Sequence, residues 1–116
     1  MKLQTEKGAI TIGSDVFTNI TGAAATNCFG VKGMAVRSNT DGLVHLLRRE
    51  SMAKGVKVRF NEDDTVSIEL HIIVDNGVNL TAVSRSIMSE VRYMVERITG
   101  TKVKSVDVCV DSMVIG

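Results

Sequence analysis

Apolar and polar residues alternate most regularly in the middle of the chain. Val56, Val58 and Phe60 interleave with Lys57 and Arg59, and the acidic stretch "NEDD" follows. Val66, Ile68, Leu70, Ile72 and Val74 then interleave with Ser67, Glu69, His71 and Asp75. A period of two on both sides of a turn predicts a β-hairpin with one buried face. Beyond it the spacing changes to three and four. Leu80, Val83, Ile87, Val91, Met94 and Ile98 predict an amphipathic helix, with Asn79 or Thr81 available to cap its start. Gly100 is placed to stop that helix in a left-handed conformation, and Arg97 complements the dipole at its end. Val106, Val108 and Val110 against Asp107, Cys109 and Asp111 predict a closing strand.

The first third of the chain is less regular. "GAITI", residues 8–12, predicts a short strand with Ile10 and Ile12 on one face. Ser14 offers a capping hydroxyl and Asp15 suits the positive end of a following helix. Its stripe reads Val16, Ile20, Ala23, Ala24 and Cys28. Gly22 within it costs about 1 kcal/mol relative to Ala, which points to close packing against another element. Gly30 sits where a left-handed residue would end the helix. "VKGMAV" predicts a strand with Gly33 at a bulge. In "SNTDGLVHLLRRESMAKG", Leu43, Leu46 and Leu47 have helical spacing, predicting a short helix whose polar side carries His45, Arg48 and Arg49.

The expected order is therefore β-α-β-(short α)-β-β-α-β. This is an α+β fold, a small mixed sheet with two main helices packed on one face. One-sided strands leave the other face to solvent or a partner. The length, 116 residues, suits a single domain over residues 1–116.

Composition sharpens this picture by exclusion. Aromatic residues make up 3% and Trp is absent, so the core must rest on Val, Ile, Leu and Met. A net charge of +1 and few rings for base stacking argue against nucleic-acid binding. The two cysteines, Cys28 and Cys109, make no disulfide framework. With no signal peptide in view, a reducing cytoplasm is the expected setting. No apolar run approaches the roughly 20 residues of a membrane span, so any attachment to a membrane needs a partner carrying the anchor.

Three constellations invite a chemical reading. Cys28, Gly30, Lys32 and Gly33 resemble a nucleophile beside a glycine-rich anion loop. Such a loop needs its glycines before a helix N-terminus, and here they follow a helix. The dipole at that end raises a thiol pKa, so Cys28 reads as a small apolar core residue. The second constellation is the face opposite the core, with Lys57, Arg59, Glu69, His71, Asp107, Cys109 and Asp111. If the hairpin and last strand are neighbours, His71, Cys109 and a carboxylate meet, which suits a metal or a Cys–His pair. No ligand spacing such as C-x-x-C backs that version, and a face of cross-strand charge pairs is the plainer expectation. The third is the basic group Arg48, Arg49 and Lys54, which fits acidic lipid, an acidic partner or, more plainly, the wet side of a short helix. No catalytic residue, cofactor-binding residue or metal ligand is assigned.

The residues nonetheless match a family pattern. "GAITIGSDVFTNITGAAATNCFGVKGM", "KGVKVRF", "SIELHIIVDNGVNL" and "RYMVERITGTKVKSVDVCV" occur in the order and spacing of the alkaline shock protein family. The chain resembles in particular its stand-alone YloU-like members from Gram-positive bacteria. The blocks span nearly all of residues 8–113, although each is mostly structural glycines and alternating valines. The resemblance implies a cytoplasmic, non-enzymatic protein of cell-envelope homeostasis and alkaline or envelope stress. It also implies self-association into a homo-oligomer and tethering by a separate membrane-anchored protein, with no direct membrane insertion. The long charged tails of some stress-type members are missing here. The family transfers no catalytic residue. A scaffold or interaction protein is the expected role. The alternative is a small regulatory subunit of a cytoplasmic lipid-metabolic or kinase-type enzyme, and a third reading is an enzyme using Cys109 and His71.

Overall fold

The computed structural model describes residues 1–28, 30–37, 44–46 and 55–114. In chain order the elements are β1 (Lys2–Thr5), β2 (Gly8–Thr11), α1 (Ser14–Thr26), β3 (Val31–Arg37), β4 (Val44–Leu46), β5 (Val56–Phe60), β6 (Thr65–Val74), α2 (Leu80–Thr99) and β7 (Lys102–Met113). The mixed α+β character and the order of main elements follow the alternation and helical stripes of the sequence.

β6 organises the main sheet. β7 runs parallel along its full length, from Thr65 opposite Lys102 to Val74 opposite Met113. That leaves one edge of β6 for two antiparallel strands, β5 against Val66–Leu70 and β3 against Ile72–Val74. β4 then pairs with β3. Parallel pairing of β6 with β7 requires a crossover, and α2 supplies it. α2 packs on β7, and α1 packs on α2, β5 and β3, so both helices cover one face.

The core lies between the layers. Val66, Ile68, Leu70, Ile72 and Val74 of β6 meet Ile87, Val91 and Val95 of α2, all essentially inaccessible. Each such side chain contributes about 1.5–3 kcal/mol on burial. α2 is fixed at both ends as the sequence predicts. Asn79 accepts a hydrogen bond from the Ala82 N–H at 3.0 Å, and Gly100 ends the helix at φ 73°. Side chains of α2 also grip the start of β7. Arg92 Nη1 donates to the Val103 carbonyl at 2.8 Å, and the Val103 N–H donates to Glu96 Oε2 at 2.9 Å.

Several expectations need correction. α1 begins at Ser14 with Gly13 as its cap residue and no side-chain cap bond, so Ser14 lies inside the helix. Its buried face is Phe17, Thr21, Gly22, Ala24 and Ala25; of the expected stripe Ala24 is buried and Ile20 and Cys28 are partly buried, but Val16 and Ala23 are exposed. The Phe17 ring decides the rotation, because it meets the Phe60 ring edge-on at 5.5 Å and brings the small residues below it against the sheet layer. In α2 the buried face is Val83, Ile87, Val91 and Val95: Val95 takes the place expected for Met94, which is only partly buried, and Leu80 and Ile98 at the helix ends are exposed. The stretch expected as a short helix contains β4 instead. The free edge of β3 offers backbone partners, and Val44–Leu46 pair antiparallel with Ala35–Arg37. Leu43, Leu47, Arg48, Arg49 and Lys54 lie outside the described residues. The first strand gains a partner the alternation did not reveal, since β1 forms a hairpin with β2 as a separate two-stranded sheet. Gly30 has the expected left-handed backbone, φ 90°, but it does not stop α1, which ends at Thr26 with the right-handed Asn27 as its cap residue. The expected bulge holds, with a register shift between Val31 and Gly33.

Candidate functional site

The sheet face away from the helices is built by the polar half of the alternation. Lys57 lies across from Glu69, and Arg59 from Ser67, between β5 and β6. Glu69 lies across from Asp107, and His71 from Cys109, between β6 and β7. Lys57, Arg59, Ser67, Glu69 and Asp107 line an open cavity of about 330 Å³. Around this cavity the cations, Lys57 and Arg59, stand on β5 and the anions, Glu69 and Asp107, on β6 and β7.

His71 meets a carboxylate at each ring nitrogen. Its Nδ1 lies 2.9 Å from Asp111 Oδ2 and its Nε2 3.2 Å from Glu69 Oε2. The Asp111 side chain is only 6% exposed, against 24% for His71 and 41% for Glu69. Asp111 reaches the ring because the register skips it. Val110 faces Ile72 and Ser112 faces Ile73, so Asp111 is the extra residue of a bulge. Bulges re-aim side chains in this way. A neutral imidazole has one donor nitrogen, yet both nitrogens face carboxylate oxygens, which only accept.

The cluster expected from alternation thus forms. One ligand atom each from Glu69, His71 and Cys109 lies within 4.8 Å of the others. Sequence spacing pointed to His71, Cys109 and a carboxylate but did not single out Asp111 as the residue that orients the ring, because nothing in the alternation marks the bulge. Ser67 in the cavity lining was not foreseen as part of a site. Cys28 sits just past the end of α1, where its thiol donates to the Ala24 carbonyl at 3.4 Å. Burial pushes this thiol up from its ordinary range, with Glu90 adding to the shift and a hydrogen bond with Ser86 opposing it. A thiol held protonated is a poor nucleophile. Among the described residues no helix is long and apolar enough to cross a membrane.

Two helices over one face of a mixed sheet, with a polar second face, define a small two-layer α+β protein. The chain belongs to the alkaline shock protein family, described as having a cell envelope-related function, whose model matches residues 2–115. It is 34% identical over 114 residues to the protein YloU of Bacillus subtilis strain 168, covering 97% of this chain and 94% of that one. It is also 34% identical over 114 residues to Spy1614 of Streptococcus pyogenes serotype M6, covering 97% and 93% of the two chains. YqhY of Bacillus subtilis is more distant, at 28% identity over 104 residues, 90% of this chain and 76% of that one. No solved structure matches the chain.

Proposed function

We propose that this protein is a non-enzymatic, self-associating scaffold in the cell-envelope function of its family. The observation that carries the reading is the sheet face away from the helices, where the charges around the cavity are sorted by strand. Lys57 and Arg59 on one side, and Glu69 and Asp107 on the other, make a surface complementary to itself. A two-fold axis over that face sets the β5 cations of one copy against the β6–β7 anions of the next. Attachment to a membrane then runs through a separate protein that carries the anchor.

Sedimentation velocity tests the self-association. The parent chain should sediment as an oligomer, and the double variant Lys57→Glu, Arg59→Glu as a monomer. Mixing that variant with Asp107→Lys should restore a larger species, because opposite charges then meet again. A parent chain that stays monomeric at every accessible concentration refutes the proposal. Crosslinking in the native cell checks the role. Capture of itself and of a membrane protein supports the scaffold, whereas one soluble enzyme at fixed stoichiometry supports a regulatory subunit instead.

A further inference from the structure

The polar cluster at the β6–β7 end of the open face has the chemistry of a metal site. Glu69, His71 and Cys109 supply a carboxylate oxygen, an imidazole nitrogen and a sulfur, the donor set that favours zinc-type divalent ions over calcium or magnesium. Around a tetrahedral ion with ordinary zinc bond lengths, nitrogen and oxygen donors sit about 3.3 Å apart and sulfur about 3.6 Å from either. Glu69 Oε2 and His71 Nε2 are already 3.2 Å apart. The three donor atoms lie within 4.8 Å of one another, so a shift of the sulfur by roughly 1.3 Å or less closes the set.

The second observation is independent of the donors. Asp111, 6% exposed and placed by the β7 bulge, holds the opposite ring nitrogen at 2.9 Å. A carboxylate on Nδ1 fixes the tautomer that presents a bare Nε2 to a metal, which is the usual outer support of a metal-binding histidine. We propose that Glu69, His71 and Cys109 bind one zinc-type divalent ion per chain, with Asp111 as a positioning residue and water as the fourth ligand. Binding displaces the thiol proton of Cys109, and His71 keeps its Nδ1 proton on Asp111. The proposal does not depend on self-association.

Calorimetric titration of the full chain with Zn²⁺, after chelator treatment, should give one equivalent bound and a raised thermal midpoint. Titration with Co²⁺ should give a near-ultraviolet sulfur-to-metal charge-transfer band. That band should persist in Cys28→Ser and vanish in Cys109→Ser. His71→Ala should lose the stoichiometric binding and the thermal shift, and Asp111→Asn should weaken binding about 10–100-fold. All four side chains lie off the helix-covered core, and the metal-free thermal midpoint of each variant checks that it folds. Uptake well below one equivalent by the parent chain, or equal uptake by His71→Ala and Cys109→Ser, overturns the site and leaves only an ion-pair network around His71. Asp111→Asn binding as tightly as the parent overturns the positioning role.

Discussion

Replacing Gly30 by Ala tests the join between α1, β3 and α2 at a single carbon atom. Gly30 has φ 90°, in the left-handed half of backbone space where a side chain costs about 1–2 kcal/mol. A Cβ built there would lie 3.0 Å from Val78 Cγ1 and 3.2 Å from Val83 Cγ2. Val83 is buried on the first turn of α2, and the Asp75 N–H donates to the Gly30 carbonyl at 2.8 Å, so the backbone has little room to retreat. Overpacking of this kind adds about 1–3 kcal/mol. Loss of freedom in the unfolded chain returns about 0.4–1 kcal/mol. The net expectation for Gly30→Ala is a destabilisation of about 2–4 kcal/mol. Gly100→Ala is the control, because Gly100 also has positive φ, 73°, but open space where its Cβ would stand. It should lose only the conformational part, about 1 kcal/mol or less after the same offset. Urea denaturation with unchanged slope gives both values. Equal losses in the two variants would show that Val78 and Val83 do not press on this glycine, and the packing account would fail.

Ile87→Ala should cost about 2–5 kcal/mol, because Ile87 is 0% exposed at the centre of the α2 face; Ile87→Asp should abolish cooperative unfolding by burying an unpaired charge. An unchanged urea midpoint for the alanine variant would remove Ile87 from the core. Thr21→Val should stabilise the protein by about 1 kcal/mol, since the Thr21 hydroxyl is fully buried with no hydrogen-bond partner among the described residues, and a thermal midpoint below the parent's contradicts this. Burial raises the folded-state pKa of Cys28 above its unfolded value. Its contribution to stability is therefore full below the unfolded thiol pKa and is lost as pH rises through the folded one. At mildly alkaline pH Cys28 should be alkylated more slowly in the folded chain than in urea, a difference that mass spectrometry of the labelled peptide reads directly. Equal rates would place the thiol in solvent.

Much of this protein is local in origin. The strict alternation of Val56–Val74 decides which residues share a face of β5 and β6 before any partner is chosen, because successive side chains of a strand point to opposite sides. Asn79 and Gly100 act on the nearest backbone groups, so the ends of α2 were readable from their neighbours alone. Gly30 is left-handed as expected, yet α1 ends before it, at Thr26 with Asn27 as the cap residue. The candidate site was half legible for the same reason. His71 and Glu69 share a face by period, and Cys109 joins them once β7 lies beside β6. What the sequence alone left open depends on surfaces far apart in the chain. α1 has small residues on several sides, and the contact of Phe17 with Phe60 selects which side is buried. Leucine spacing around Val44–Leu46 favours a helix in isolation, but the unfilled edge of β3 makes it a strand. Asp111 meets His71 only because β7 bulges in its register on β6, and a bulge is set by pairing across 40 residues rather than by composition. Period and capping chemistry act within a turn or a strand. Helix rotation, edge pairing and bulges are decided by the partner surface, and only the folded chain supplies it.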